Sequence, residues 1–227
     1  GLPNDPSVRL VLDGTAPIDD YTADLSIATA GVERITGDFG FLNSDAGQDL
    51  RLDIRGDVNA LIETDYADFF GDDLRRAFVG GRDPEGVLRL QDLSIEARAL
   101  TLSGSAEIGA NGWPNALSLD GRLAATDGSP VLLPFGEGNT EVTEAIIDLT
   151  FDAASGDVWT LDVTATDVAQ PGLTVPSLAL SGAGVIQQGP PSRVDGALTY
   201  QASGLQLSDA ALAQAVGRDI SGELRFE

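Results

Sequence analysis

Carboxylates are the only abundant reactive side chains in this sequence: 36 Asp and Glu stand against 13 Arg, with no Lys, His, Cys or Met. Two acids facing each other across a cleft can hydrolyse a glycosidic bond, and acids at alternating spacing can hold calcium. Asp19-Asp20 and Asp72-Asp73 are adjacent pairs without that alternation, and they read as a solvated turn and a helix end. The remaining acids are scattered over polar strand positions and turns, with no aromatic sugar platform beside them. Asp38-Phe39-Gly40 spells the kinase magnesium tripeptide, but the lysine and catalytic loop that give it meaning are missing. Gly182-Ala-Gly184 lacks the third glycine of a dinucleotide fingerprint and sits inside a strand pattern. Without imidazole, thiol or ammonium groups, Ser-His and Cys-His nucleophiles, Schiff bases, the phosphate-loop lysine and the usual zinc sites are all excluded. The expectation is a protein that is not an enzyme and has no catalytic, metal or cofactor site.

A net charge of −23 in 227 residues repels nucleic acid and anionic surfaces, so nucleic acid is not an expected partner. Hydrophobic residues make up 42% and charged residues 22%, the balance of an ordered chain, while 27 Gly and 11 Pro call for many turns. No apolar run approaches a membrane span. The opening Gly1-Leu-Pro, the lack of Met and a last residue in mid-pattern suggest a segment excised from a larger protein.

Strict alternation of apolar and polar residues, the signature of a half-buried strand, recurs from Val8 to Phe226. It predicts strands near Val8–Asp13, Tyr21–Ala28, Val32–Phe39, Asp49–Gly56, Leu74–Gly80, Gly86–Leu90, Ser94–Ala97 and Leu100–Ile108. Six more follow near Ala116–Ala124, Ala145–Ala153, Val158–Ala165, Thr174–Ile186, Val194–Ala202 and Ile220–Phe226. Turns at Asn111-Gly112, Asp127-Gly128, Ser155-Gly156 and Pro171-Gly172 leave little room for crossovers, so the pairing should be mostly antiparallel. Two short helices are expected, Asp57–Phe70 ending at Gly71 and Ser208–Val216 ending at Gly217. Gly71-Asp-Asp-Leu74 and Gly217-Arg-Asp-Ile220 lie 146 positions apart, each after a strand and a helix; one reading is one and a half copies of a repeat of that length.

A phrase of two apolar residues, a Ser, Asp or Arg, and a glycine is written again and again, as in Leu52-Asp-Ile-Arg-Gly56, Leu100-Thr-Leu-Ser-Gly104, Leu117-Ser-Leu-Asp-Gly121 and Leu178-Ala-Leu-Ser-Gly182. A glycine inside a strand points to a bulge, a bend or a backbone approached closely by something else. The apolar members form stripes on one face: Leu50, Leu52 and Ile54; Leu100 and Leu102; Leu117 and Leu119; Ile147 and Leu149; Leu161 and Val163; Leu178 and Leu180. Each such side chain gains about 1.5–3 kcal/mol on burial, and two small helices cannot cover them all. Either the sheet closes on itself around a filled core, or it curls into a trough whose wall, these thirteen residues, takes an apolar ligand. Phe39, Phe41, Phe69, Phe70, Trp113 and Trp159 are further candidates for ligand contact or for plugging the ends of a core.

These Leu-x-Leu-Ser/Asp-Gly strands, with Ala67-Asp-Phe-Phe-Gly-Asp-Asp-Leu74, Trp113-Pro to Gly121-Arg-Leu-Ala and Asp127-Gly-Ser-Pro-Val-Leu-Leu-Pro134, resemble the TamB family, the inner-membrane subunit of the translocation and assembly module within the AsmA-like superfamily. The resemblance is diffuse, runs over nearly the whole chain, and implies an all-β, mainly antiparallel elongated sheet of the β-taco type, covering residues 1–227 as a middle segment of a larger protein. It further implies a periplasmic location in an inner-membrane-anchored parent and an Omp85-type (TamA-like) outer-membrane partner. Phospholipid acyl chains would be the ligand, with outer-membrane proteins as further clients.

Overall fold

A computed structural model describes residues 7–15, 17, 19–134, 139–189 and 192–227; the opening Gly1-Leu-Pro lies outside them. Strand alternation becomes an all-β fold in two compact units, residues up to Pro114 and from Asn115 onward. In the N-terminal unit, β1 (Val8–Gly14), β2 (Asp20–Thr29), β3 (Val32–Ser44), β4 (Gly47–Gly56), β5 (Leu74–Arg82), β6 (Leu88–Glu96) and β7 (Leu100–Ile108) pair in sequence order, each antiparallel to the next. The C-terminal unit has the order β8-β11-β12-β13-β14-β16, from β8 (Pro114–Ala124), β11 (Glu144–Asp152), β12 (Val158–Gln170), β13 (Leu173–Gln187), β14 (Arg193–Ser203) and β16 (Asp219–Phe226). Three two-residue strands that alternation could not announce complete it: β9 (Val131–Leu132) and β10 (Glu141–Val142) pair with each other, and β15 (Gln206–Leu207) pairs with β13. Among the described residues the order is not closed: β1 pairs only with β2, and β16 only with β14. Gly112, Gly128, Gly156 and Gly172, at the four predicted reversals, have φ between 74 and 98°.

Three expectations need correction. The segment from Asp57 is not a fourteen-residue helix; a 3-10 turn over Thr64–Tyr66 leads into α1, Ala67–Phe70 only. Asp57 is occupied elsewhere: one carboxylate oxygen accepts from the Asn59 amide at 2.8 Å and the other from Arg34 at 3.1 Å, which fixes a turn instead of a cap. Phe69, buried, docks this short helix through backbone bonds from Ala99 to Phe69 and from Arg98 to Phe70. The predicted pieces Gly86–Leu90 and Ser94–Ala97 are one strand, β6, interrupted by a bulge at Asp92, whose φ is +53°. The second helix, α2 (Ala210–Val216), is capped by Asp209 and not by Ser208; its carboxylate accepts from the amides of Ala211 and Leu212. Both helices end at a glycine of almost the same backbone shape, Gly71 (φ 70°, ψ −167°) and Gly217 (φ 82°, ψ −169°), and each then feeds a strand. Among the described residues no helix is long and apolar enough to cross a membrane.

Register sorts the side chains by face. Asp13, Asp24, Asp38 and Asp53 stand directly opposite one another across β1 to β4, and Asp120, Asp148 and Asp162 across β8, β11 and β12. Like charges in directly opposed positions cost stability, and Arg51 and Arg55, which share the recesses over the first row, offset only part of it. Asp38→Asn should therefore raise the thermal midpoint, and added NaCl should raise the midpoint of the native protein more than that of the variant, as read by circular dichroism. At the β5–β6 turn the sign reverses. Asp83 accepts from Arg89 at 2.7 Å and from the Val87 amide at 2.8 Å, and these bonds hold its carboxyl below the usual range. A depressed value in the folded state gives stability that is present above the unfolded value of about 3.9 and lost as pH falls through the folded one. Asp83→Asn should accordingly lower the midpoint at pH 7, with the gap to the native protein narrowing as pH falls below the range in which an unfolded aspartate titrates.

Candidate apolar face

The polar rows define, by exclusion, the other face. In the C-terminal unit three of its rows, each running β8-β11-β12-β13-β14-β16, are Leu117-Phe151-Trp159-Gly184-Gly196-Phe226, Leu119-Leu149-Leu161-Gly182-Leu198-Leu224 and Gly121-Ile147-Val163-Leu180-Tyr200-Gly222. The next, Leu123-Ala145-Ala165-Leu178-Ala202-Ile220, runs into a small core in which Val175, Ala202 and Leu205 are buried. The unit thus covers one end of its apolar face with its own residues. Farther along the rows cover is incomplete, and at the edge strand Leu224 is 60% exposed and Phe226 37%.

Glycines in these rows are not bulge residues. Register shifts in the N-terminal unit fall at Ile27/Ala28, Ala77/Val79 and Leu90/Leu93, away from the glycine positions. The reason for the glycines is close approach. The Trp159 indole crosses two strands above Gly182, Gly184 and Gly196 to stack on Phe226, with ring centroids 6.0 Å apart and planes 19° from parallel. Its Nε1 donates to the Asp195 carbonyl at 3.3 Å. A Cβ on Gly184 would sit 2.7 Å from that nitrogen, and one on Gly222 2.7 Å from the ring carbon Cζ of Tyr200. Gly14 serves Tyr21 of the N-terminal unit in the same way, at 2.8 Å. Large flat rings and strand glycines are thus two halves of one device.

Of the thirteen residues expected to line a trough, eight fall in the C-terminal unit. Leu119, Leu149 and Leu161 share one row and Ile147, Val163 and Leu180 the next, with Leu117 and Leu178 in the rows on either side. The other five lie in the N-terminal unit, with Leu50, Leu52 and Ile54 on β4, and Leu100 and Leu102 on β7, separated by β5 and β6. All thirteen are half-buried, neither sealed in a core nor left fully in water. The row through Ile54 and Leu102 reads Leu12-Leu25-Gly37-Ile54-Arg76-Ile95-Leu102. Arg76 was not anticipated, although Arg75-Arg76 inside a strand must send one guanidinium to each face. Leu198, Tyr200 and Leu224 were likewise missed as row members.

Other singled-out residues fall elsewhere. Asp38 belongs to the acidic row while Phe39 faces the apolar side opposite Leu52, with Tyr21 at 6.5 Å. Asp73 pairs with Arg75 at 2.9 Å. Among the described residues no group of three or more acids is placed to hold a metal ion. Recesses of about 510 and 400 Å³ lie over the acidic row of β1 to β4, on the face opposite the stripes. No protein-family model, curated protein or solved structure matches the chain.

The indole-over-glycine arrangement makes its own prediction. Gly196→Ala should cost about 1–3 kcal/mol in urea unfolding, because its Cβ meets the indole first. In a Trp159→Ala background the same substitution should cost far less, a coupling that a double-mutant cycle measures.

Proposed function

We propose that this chain shields acyl chains along its apolar faces, as a periplasmic segment of a TamB-like parent engaged in phospholipid transport and outer-membrane biogenesis. The observation that carries the reading is the half-burial of all thirteen stripe residues, eight of them in the apolar rows of the C-terminal unit. A closed-core module would bury most of them outright. Taking up a lipid tail lets both surfaces leave water together, at about 0.8 kcal/mol for each methylene covered. No bond is made or broken in that process, which suits a chain whose acids are turned to the opposite face. The Omp85-type partner and the inner-membrane anchor belong to the parent protein in this proposal, with outer-membrane proteins as further clients.

Photocrosslinking amino acids at Leu102, Leu119 and Leu180, with Thr150 on the polar face as control, test it in cells. Adducts with phospholipid at the three apolar positions and none at Thr150 are expected. Adducts formed only within the chain would point instead to a closed core, and adducts only with other proteins to a strand-binding role.

A further inference from the structure

We infer that the apolar face of the N-terminal unit takes amphiphiles with an anionic headgroup, and that Arg76 is the residue that engages that headgroup; this rests on the acyl-shielding function proposed above. In the four rows through Leu10, Leu12, Gly14 and Tyr21, Arg76 is the single charged side chain among the described residues. Ile54 and Ile95 stand directly across from it on β4 and β6, and Leu74 and Phe78 flank it on its own strand. It is exposed, and no side-chain hydrogen bond or ion pair engages it among the described residues. Arg34, Arg75, Arg89, Arg98, Arg122 and Arg225 all pair with carboxylates. Among the described residues Arg51 and Arg55 lack such a pair as well but stand on the acidic face, whereas Asp53, Arg55, Ser94 and Glu96, the strand neighbours of Ile54 and Ile95, are turned away from the face that carries Arg76.

A guanidinium held among aliphatic side chains keeps its five donors but loses part of its water, and the group that satisfies it best is a phosphate or carboxylate reached bidentately. The surrounding Ile54, Ile95 and Leu102 ask for hydrocarbon. One molecule that meets both demands is a lipid with its acidic headgroup on Arg76 and its tail along the row. The overall charge of −23 opposes such a ligand at long range, but salt screens that repulsion beyond about 8 Å at physiological ionic strength, whereas the contact with Arg76 is direct. The preference for anionic lipid is therefore local, and it depends on this one side chain.

Equilibrium dialysis of the full chain against oleoyl-lysophosphatidic acid and monooleoylglycerol, below their micelle concentrations, tests the assignment. The native protein should bind the acidic probe about tenfold more tightly than the neutral one. Arg76→Gln should bring the two affinities together, chiefly by weakening that for the acidic probe, and Arg76→Lys should retain part of the preference. Inorganic phosphate alone should not displace the lipid. Equal binding of both probes by the native protein, an unaltered preference in Arg76→Gln, or displacement by phosphate would overturn the role of Arg76 while leaving acyl binding in place. Failure to bind either probe would overturn the acyl-shielding function itself.

Discussion

Everything in this molecule depends on strand register. Side chains on a strand change face at every residue, so a slip of one position would carry Asp13, Asp24, Asp38 and Asp53 onto the apolar side and expose Leu12, Leu25 and Ile54 in their place. The penalty for such a slip rises with every strand added, because each row must be apolar or polar along its whole width. Pairing between sequence neighbours keeps the rows aligned, and the bulges at Asp92 and near Ala28 take up the residues that would otherwise put them out of phase. Both the acidic rows and the half-buried stripes follow from that single constraint.

The two faces also divide the work. The acidic face accepts a cost in repulsion, with Arg51 and Arg55 beside it, and a high net charge of one sign favours solubility. The apolar face gives up part of its burial, being covered at one end of the C-terminal unit by Val175, Ala202 and Leu205 and elsewhere only in part. A structure built purely for stability would cover those rows with a second layer. Flat rings laid over glycines serve the same economy of material: Trp159 gains a buried bed on its own sheet and stays within one layer.

Much of this was legible in the alternation itself. Leu100-Thr-Leu-Ser-Gly104 specifies β7 almost to the residue, because a period of two over nine positions admits no helix. What escaped was decided at a distance. Asp57 looks like a helix cap until Arg34, 23 positions earlier, claims its carboxylate. Asp92 hides a bulge because a positive φ at an aspartate leaves no mark in polarity. The glycines were understood to need a bend or a close approach, and deciding between the two required knowing that Trp159 faces Gly184, 25 positions later, and Gly196 beyond it. Of the apolar face, the aliphatic stripes were readable and the cation among them was not, since the setting of Arg76 comes only from the isoleucines that register sets on either side of it.

The strand order of the N-terminal unit bears on how the chain reaches its shape. From β1 to β7 every strand meets the one made just before it, so each addition extends a template already in place, and the loop it closes is short except between β4 and β5, where residues 57–73 intervene. Such a sheet can grow rung by rung while the rest of the polypeptide is still being made, with no waiting for a distant partner to arrive. Vectorial assembly of this kind leaves one working edge at a time, and the chain's own next segment is always the nearest molecule able to take it.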